Sequence, residues 1–237
     1  MIPPGDNPVR IARDAKAFLL QLEEEGLEWV PSRRRESSRR RSRKLATPSL
    51  RDRYLELRDR ARACASCRLS ETRRNVVFGE GKMGEGVFII GEGPGATEDA
   101  TGRPFVGRAG ALLDKMLAAV GLSRRDVYIT NIVKCRPPGN RDPNPDEIIA
   151  CWPLLEAQLD LLRPRVVLAL GAPAARTLLD TKRGIGSLRG RFHDFNGIPL
   201  LPIYHPAYIL RSYTVENRRK VMDDLELLRA FLDKPRD

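Results

Sequence analysis

Long apolar runs are missing from this sequence, which nowhere reaches the roughly eighteen consecutive apolar residues a membrane span requires. The first twenty residues also lack the basic-then-apolar pattern of a secretory leader. Both absences point to an intracellular, cytoplasmic protein with no membrane partner. Cysteine is scarce, with four in 237 residues. That is too few for a disulfide scaffold, so in a reducing compartment the four are reactive, metal-binding or simply buried. Only two histidines occur, His193 and His205. There is no GxxxxGK[ST] loop, so an ATPase would lack its lysine and its metal-binding hydroxyl. GEGPG at 91–95 is followed by Ala96, where a dinucleotide fingerprint needs its third glycine. No nucleotide cofactor is expected, and a nucleotide-dependent oxidoreductase fails on the same ground.

What is abundant is positive charge. Forty-two Lys and Arg against thirty-one Asp and Glu leave a formal charge of +11, which suits a polyanionic partner such as nucleic acid. The length fits one domain plus an appendage. Residues 1–48 form the appendage: Ile11, Ala15, Phe18, Leu19 and Leu22 fall at helical spacing and predict an amphipathic helix over about 8–26. The Arg/Ser-rich stretch 31–44 carries no apolar side chains and reads as a disordered linker. The domain proper spans 49–237.

Within it, strand-like and helix-like segments alternate. VFIIG (87–91) precedes a helical RAGALLDKMLAAVG from 108, and VYITNIVKC (127–135) reads as the next strand. Helical PDEIIACWPLLEAQLDLL from 145, strand RVVLALG from 165, a helix from 172, strand PLLPIYHP from 199 and a last helix complete the series. Such alternation predicts an α/β fold with a small parallel sheet between helical layers. Ligands of open sheets sit beyond the carboxyl ends of strands, and there the unusual loops fall: GEGPGATED, CRPPGNRDPNP and HPAYILR.

All four cysteines pair by spacing, Cys64 and Cys67 as C-x2-C, Cys135 and Cys151 as C-x15-C. Four thiolates satisfy tetrahedral zinc or an iron–sulfur cluster, and spacing does not choose between them. Four unrelated buried thiols are the plain alternative.

GEGPGATED, TGRPFVGRAG, YITNIVKCRPPGNRDP, the second cysteine pair and HPAYILR together resemble the motif series of family 4 uracil-DNA glycosylases over roughly residues 55–230. The resemblance implies a three-layer α/β/α fold and a [4Fe-4S] cluster on Cys64, Cys67, Cys135 and Cys151. It also implies excision of uracil from single- or double-stranded DNA by a monomer with no catalytic divalent metal. Position by position, it puts Asn131 against uracil O4 and N3–H, Phe105 under the flipped base, and His205 as donor to uracil O2. Gly93 stands where better-known uracil glycosylases carry an Asp, leaving Glu92 and Glu98 as candidate catalytic carboxylates, with Glu92 preferred because it flanks the glycine turn. Asn140 matches a residue of the pocket rim. Arg136, Tyr208 and Arg211 are the expected DNA contacts.

Each of these residues has a structural alternative: a cap for Glu92 or Glu98, a strand-end turn for Asn131, core packing for Phe105 and Tyr208. The chain runs from FVG directly into RAGALL, without the histidine-bearing insertion by which one related group traps DNA covalently, so a turnover enzyme is expected. Ala96 and Thr97 stand where many members have acidic residues. The rival reading is a zinc-stabilised module that binds nucleic acid without catalysis.

Overall fold

The computed structural model describes residues 48–235. The helix expected over 8–26 and the linker at 31–44 lie outside the described residues. The described chain opens with α1 (Leu50–Arg62), and Ser49 caps it: the Ser49 hydroxyl accepts from Asp52 N while the Asp52 carboxylate accepts from Ser49 N. This reciprocal cap satisfies two of the amide donors that every helix start leaves open. A short α2 (Leu69–Thr72) follows, then β1 (Glu80–Gly81), β2 (Val87–Gly91), α3 (Ala96–Thr101), α4 (Arg108–Ala119) and β3 (Val127–Asn131). Next come α5 (Pro145–Leu162), β4 (Val166–Leu170), α6 (Gly171–Leu179), α7 (Ile185–Leu188), β5 (His193–Phe195), β6 (Ile198–Ile203), α8 (Pro206–Arg211) and α9 (Val215–Leu232).

The six strands form one sheet in the order β1-β3-β2-β4-β6-β5. Strands β3, β2, β4 and β6 are parallel, as the alternation predicts, but both edges are antiparallel, so the sheet is mixed rather than purely parallel. Every residue of β2, β3 and β4 is buried, because helices cover both faces. The side-chain period of two divides them. Phe88, Ile90, Val167 and Ala169 join Trp152, Leu155, Ala174 and Leu178 on one face, while Val87, Ile89, Val166 and Leu168 join Leu113, Leu117, Leu225 and Leu228 on the other. That is the three-layer α/β/α arrangement.

Two details place the site. After β2 the chain adds β3 on one side and, later, β4 on the other, so the order reverses at β2 and opens a crevice beyond its carboxyl end. And β3 stops at Asn131, four residues earlier than the run 127–135 suggests, although the next two amides still bond to the last residue of β2 and the one after it (Ile132 N to Gly91 O, 2.9 Å; Val133 N to Glu92 O, 3.1 Å). Cys135 therefore lies in the loop, not at the strand end.

Candidate active site

A cavity of about 320 Å³ opens at that crevice, lined by Glu92, Gly93, Glu98, Phe105, Asn131, Asn140, Arg141, His205 and Arg211 among others. Four separate chain segments bring these groups together. Arg136 and Tyr208 do not line it: Arg136 donates from Nε to Asn140 Oδ1 at 2.7 Å, and Tyr208 packs its ring on Tyr204 at 5.1 Å between centroids.

The floor is set by register. Gly91 and Asn131 pair at the last step of the β2–β3 ladder. A side chain at Gly91 would collide with Asn131 Oδ1 and stand 2.5 Å from Phe105 Cζ, so glycine is what allows both groups to approach the strand. Asn131 is 1% exposed, and among the described residues its Oδ1 has no hydrogen-bond donor. Buried polar atoms are almost always paired, so an unpaired one in a pocket wall marks a place for a ligand's donor.

Phe105 forms the side wall, buried and in the left-handed region (φ 51) that non-glycine residues seldom occupy. Arg124 holds it there, donating to the carbonyls of Pro104 and Phe105 while pairing with Glu80 and Asp114. Gly110 of α4 completes the fit, since any Cβ there would run into the Phe105 carbonyl. The Phe105 and His205 rings lie 5.7 Å apart, tilted by 35°.

His205 caps α8, its Nδ1 accepting from Ala207 N at 3.0 Å. An amide can only donate, so the neutral ring carries its proton on Nε2. Burial, helped by Arg211, pulls the imidazole down to about 4, so the ring stays neutral at physiological pH with Nε2–H as a donor. His193, by contrast, bonds to Leu188 O at 2.7 Å on the β5 edge and is not part of the cavity lining.

The two carboxylates differ. Burial raises Glu92 to about 7, and Asp142, close enough to repel and to share a hydrogen bond, adds to the rise. Glu98 instead takes the amides of Val106 and Gly107 on Oε1 at 2.9 and 2.8 Å, capping the start of α4 and tying it to α3. Asn140 (φ 57) and Arg141 sit on a loop pinned by Arg141 to the buried Glu147, with bonds of 2.8 and 2.6 Å, and by Asn144 N to the same carboxylate. Sequence reasoning did not find Asp142 or Arg124, whose roles arise from contacts distant in the chain. Leu210, 43% exposed on α8 beside the cavity residue Arg211, is a further group it missed.

The cysteines line a separate, small cavity with Arg73 and Lys134. Lys134 N donates to Cys151 Sγ at 3.2 Å and Arg73 Nη1 to Cys135 Sγ at 3.3 Å. Lys134 is fully buried, its Nζ donating to Thr130 Oγ1 and to Asn131 O, both at 2.7 Å. Burial pushes the Cys151 thiol up to about 11 and raises Cys67 and Cys135. Four sulfurs, two N–H···S bonds and the Arg73 guanidinium form a donor set suited to an anionic sulfur-ligated group. Among the described residues, no three His, Cys, Asp or Glu side chains converge as they would on a single ion.

Comparison with known proteins agrees with this architecture. The model of the Uracil DNA glycosylase superfamily matches residues 78–226. A type-4 uracil-DNA glycosylase of Thermotoga maritima is 46% identical over 178 residues, covering 74% of this chain and 93% of that protein. The type-4 enzyme of Saccharolobus solfataricus is 42% identical, covering 74% and 88%. A type-5 uracil-DNA glycosylase of Pyrobaculum aerophilum is more distant, 35% identical over 54% of this chain and 63% of its own length. Strand order, pocket and extended sequence identity together make this chain a member of the uracil DNA glycosylase superfamily, of the type-4 kind.

Proposed function

We propose that this protein excises uracil from DNA by hydrolysing the N-glycosidic bond, the first step of base-excision repair. The observation that carries the reading is the orphaned Asn131 Oδ1 in the pocket floor. Uracil offers a donor at N3–H and an acceptor at O4, which one amide can answer, whereas cytosine presents the reverse pattern and leaves buried groups unpaired. The base reaches such a pocket only after leaving the helix, and the face of Phe105 gives it a ring on which to stack.

Chemistry then follows from the protonation states. As the C1′–N1 bond breaks, its electron pair passes to the base and negative charge builds on O2, where the neutral Nε2–H of His205 donates. A preorganised donor of this kind lowers the barrier by about 2.7–4 kcal/mol. Water adds its hydroxyl to C1′ and gives its proton to a carboxylate. Glu92 suits that task, being poised at about 7; Glu98 is already committed to two amides. Arg211, Arg136, Tyr208 and the exposed Leu210 form the surface against which the DNA lies.

The four thiols Cys64, Cys67, Cys135 and Cys151 line one small cavity with two N–H···S bonds, a donor set that would hold a [4Fe-4S] cluster. Such a group would brace the loop after α1 against the loop that carries Asn140. It takes part in no chemical step.

Incubation with end-labelled strands carrying one uracil or one cytosine, followed by alkali, tests the reading. Abasic sites should appear only at uracil and disappear in Asn131→Ala. Tight binding without abasic sites would leave only a binding module, and zinc in place of iron and sulfide would overturn the cluster.

A further inference from the structure

Beyond the β1 edge of the sheet lies a second depression of about 690 Å³, separate from the base pocket. Arg58 and Arg62 of α1, Arg73 and Arg74 after α2, and Arg103 after α3 line it, against a single carboxylate, Glu80. The five cations are not equally engaged. Arg73 is committed to Cys64 O and Cys135 Sγ, and Arg103 forms two 2.9 Å bonds with Glu80, which Arg124 also shares. Among the described residues, Arg58 and Arg62 reach only Asp59, at 3.4 and 3.7 Å, on a carboxylate that is 63% exposed. The exposed Arg74 uses its backbone N–H on Asp99, while its guanidinium takes no partner among the described residues.

Three under-used guanidinium groups around one concavity repel one another until an anion sits between them, and a concave wall of one sign concentrates the field. The position of the cleft says which anion. Arg103 precedes Phe105 by two residues, a chain distance of at most about 7 Å, and α3 puts Glu98 in the base pocket and Thr101 in the cleft. A strand whose flipped base occupies the pocket must carry its phosphates over the adjoining rim.

Resting on the glycosylase reading, we propose that this arginine cleft is a second nucleic-acid contact. It takes phosphodiester groups of the same strand, a few nucleotides from the excised base. Guanidinium groups on phosphates hold the strand without reading its sequence, as suits an enzyme that must find uracil in any context.

The test uses the full chain, parent and R58Q/R74Q, with strands carrying an abasic site that the enzyme cannot process further. One strand is short enough to fill only the pocket and one is several times longer. The variant should bind the long strand several-fold more weakly, and its slope of log affinity against log salt should be shallower by about 0.7 for each phosphate no longer neutralised. Binding of the short strand, and excision of uracil from a short substrate, should match the parent. R125Q/R163Q, which removes two exposed arginines near the amino ends of β3 and β4, should leave the slope unchanged. An unchanged slope in R58Q/R74Q, an equal loss in R125Q/R163Q, or equal losses on both strand lengths would overturn the proposal. The expected slope change in a protein that excises nothing would support the cleft and overturn the glycosylase reading alone.

Discussion

Replacing Asn131 with leucine separates what this side chain does for the fold from what it does for the base. The residue is 1% exposed and its Oδ1 has no donor among the described residues. An unpaired buried acceptor costs about 1–3 kcal/mol, a burden the folded protein carries until a ligand supplies N–H. Leucine has nearly the same shape and no polar atom, so Asn131→Leu should unfold in urea at the same midpoint as the parent or a higher one. Bound uracil, however, would lose its partners at N3 and O4. The same 1–3 kcal/mol then appears as a fall in kcat/KM of roughly 5- to 150-fold. Paired measurements on one preparation, urea unfolding and excision from a uracil strand, decide the matter. A variant destabilised by more than about 1 kcal/mol that still excises at the parental rate would show that the amide serves the fold, and would refute this role for the pocket floor.

Glu92, raised to about 7 by burial and by Asp142, must be ionised to accept a proton, so kcat should rise with pH through about 7. Asp142→Asn should move that limb to lower pH, and Glu92→Gln should lower the rate and remove the limb; a pH–rate series in which both variants keep the parental midpoint would exclude Glu92 as base. Because the folded-state value lies above the unfolded one, Glu92 contributes stability fully present below about 4.5 and lost as pH rises through about 7. Glu92→Gln should therefore be more stable than the parent in alkaline buffer, read as a higher Tm. Gly91→Ala would drive a methyl group into Asn131 Oδ1 and to 2.5 Å from Phe105 Cζ. Overpacking of this kind costs about 1–3 kcal/mol of stability, and displacing both base contacts should reduce excision by more than the unfolding curve implies; parental excision would show that the floor can relax.

Much of this was legible in the sequence because the chemistry sits in contiguous loops. GEGPGATED, TGRPF and HPAYILR each follow or flank a readable element, and their convergence follows from parallel strands that all end on one side. The sheet edges were not legible: β1 has two residues and β5 three, too few for a period of two to register. The end of β3 was hidden for a different reason. Ile132 and Val133 continue the apolar run, yet the Asn131 carbonyl is taken by Lys134 Nζ and not by a neighbouring strand, a substitution invisible in hydropathy. Asp142 raises Glu92 from fifty positions away in sequence, and Arg124 fixes the Phe105 backbone from nineteen. Proximities of that kind are products of the fold. Glu98 shows the converse, a motif residue whose geometry is that of a helix cap.

The placement of Lys134 constrains anyone who would redesign this molecule. Its amide ends on a cysteine sulfur, while its Nζ donates to the carbonyl of the residue whose side chain forms the pocket floor. A version stripped of its thiols, built for air-stable use as a reagent, would have to supply the backbone N–H of the same lysine with a new acceptor. Filling the vacated space with apolar side chains would not suffice, for it would leave the Lys134 amide without its acceptor and put the amine, already pulled down to about 7 by burial, in still drier surroundings beside the floor. Cysteine replacement and pocket design are thus one problem in this fold, and a library that varies 64, 67, 135 and 151 without 134 would be searching the wrong space.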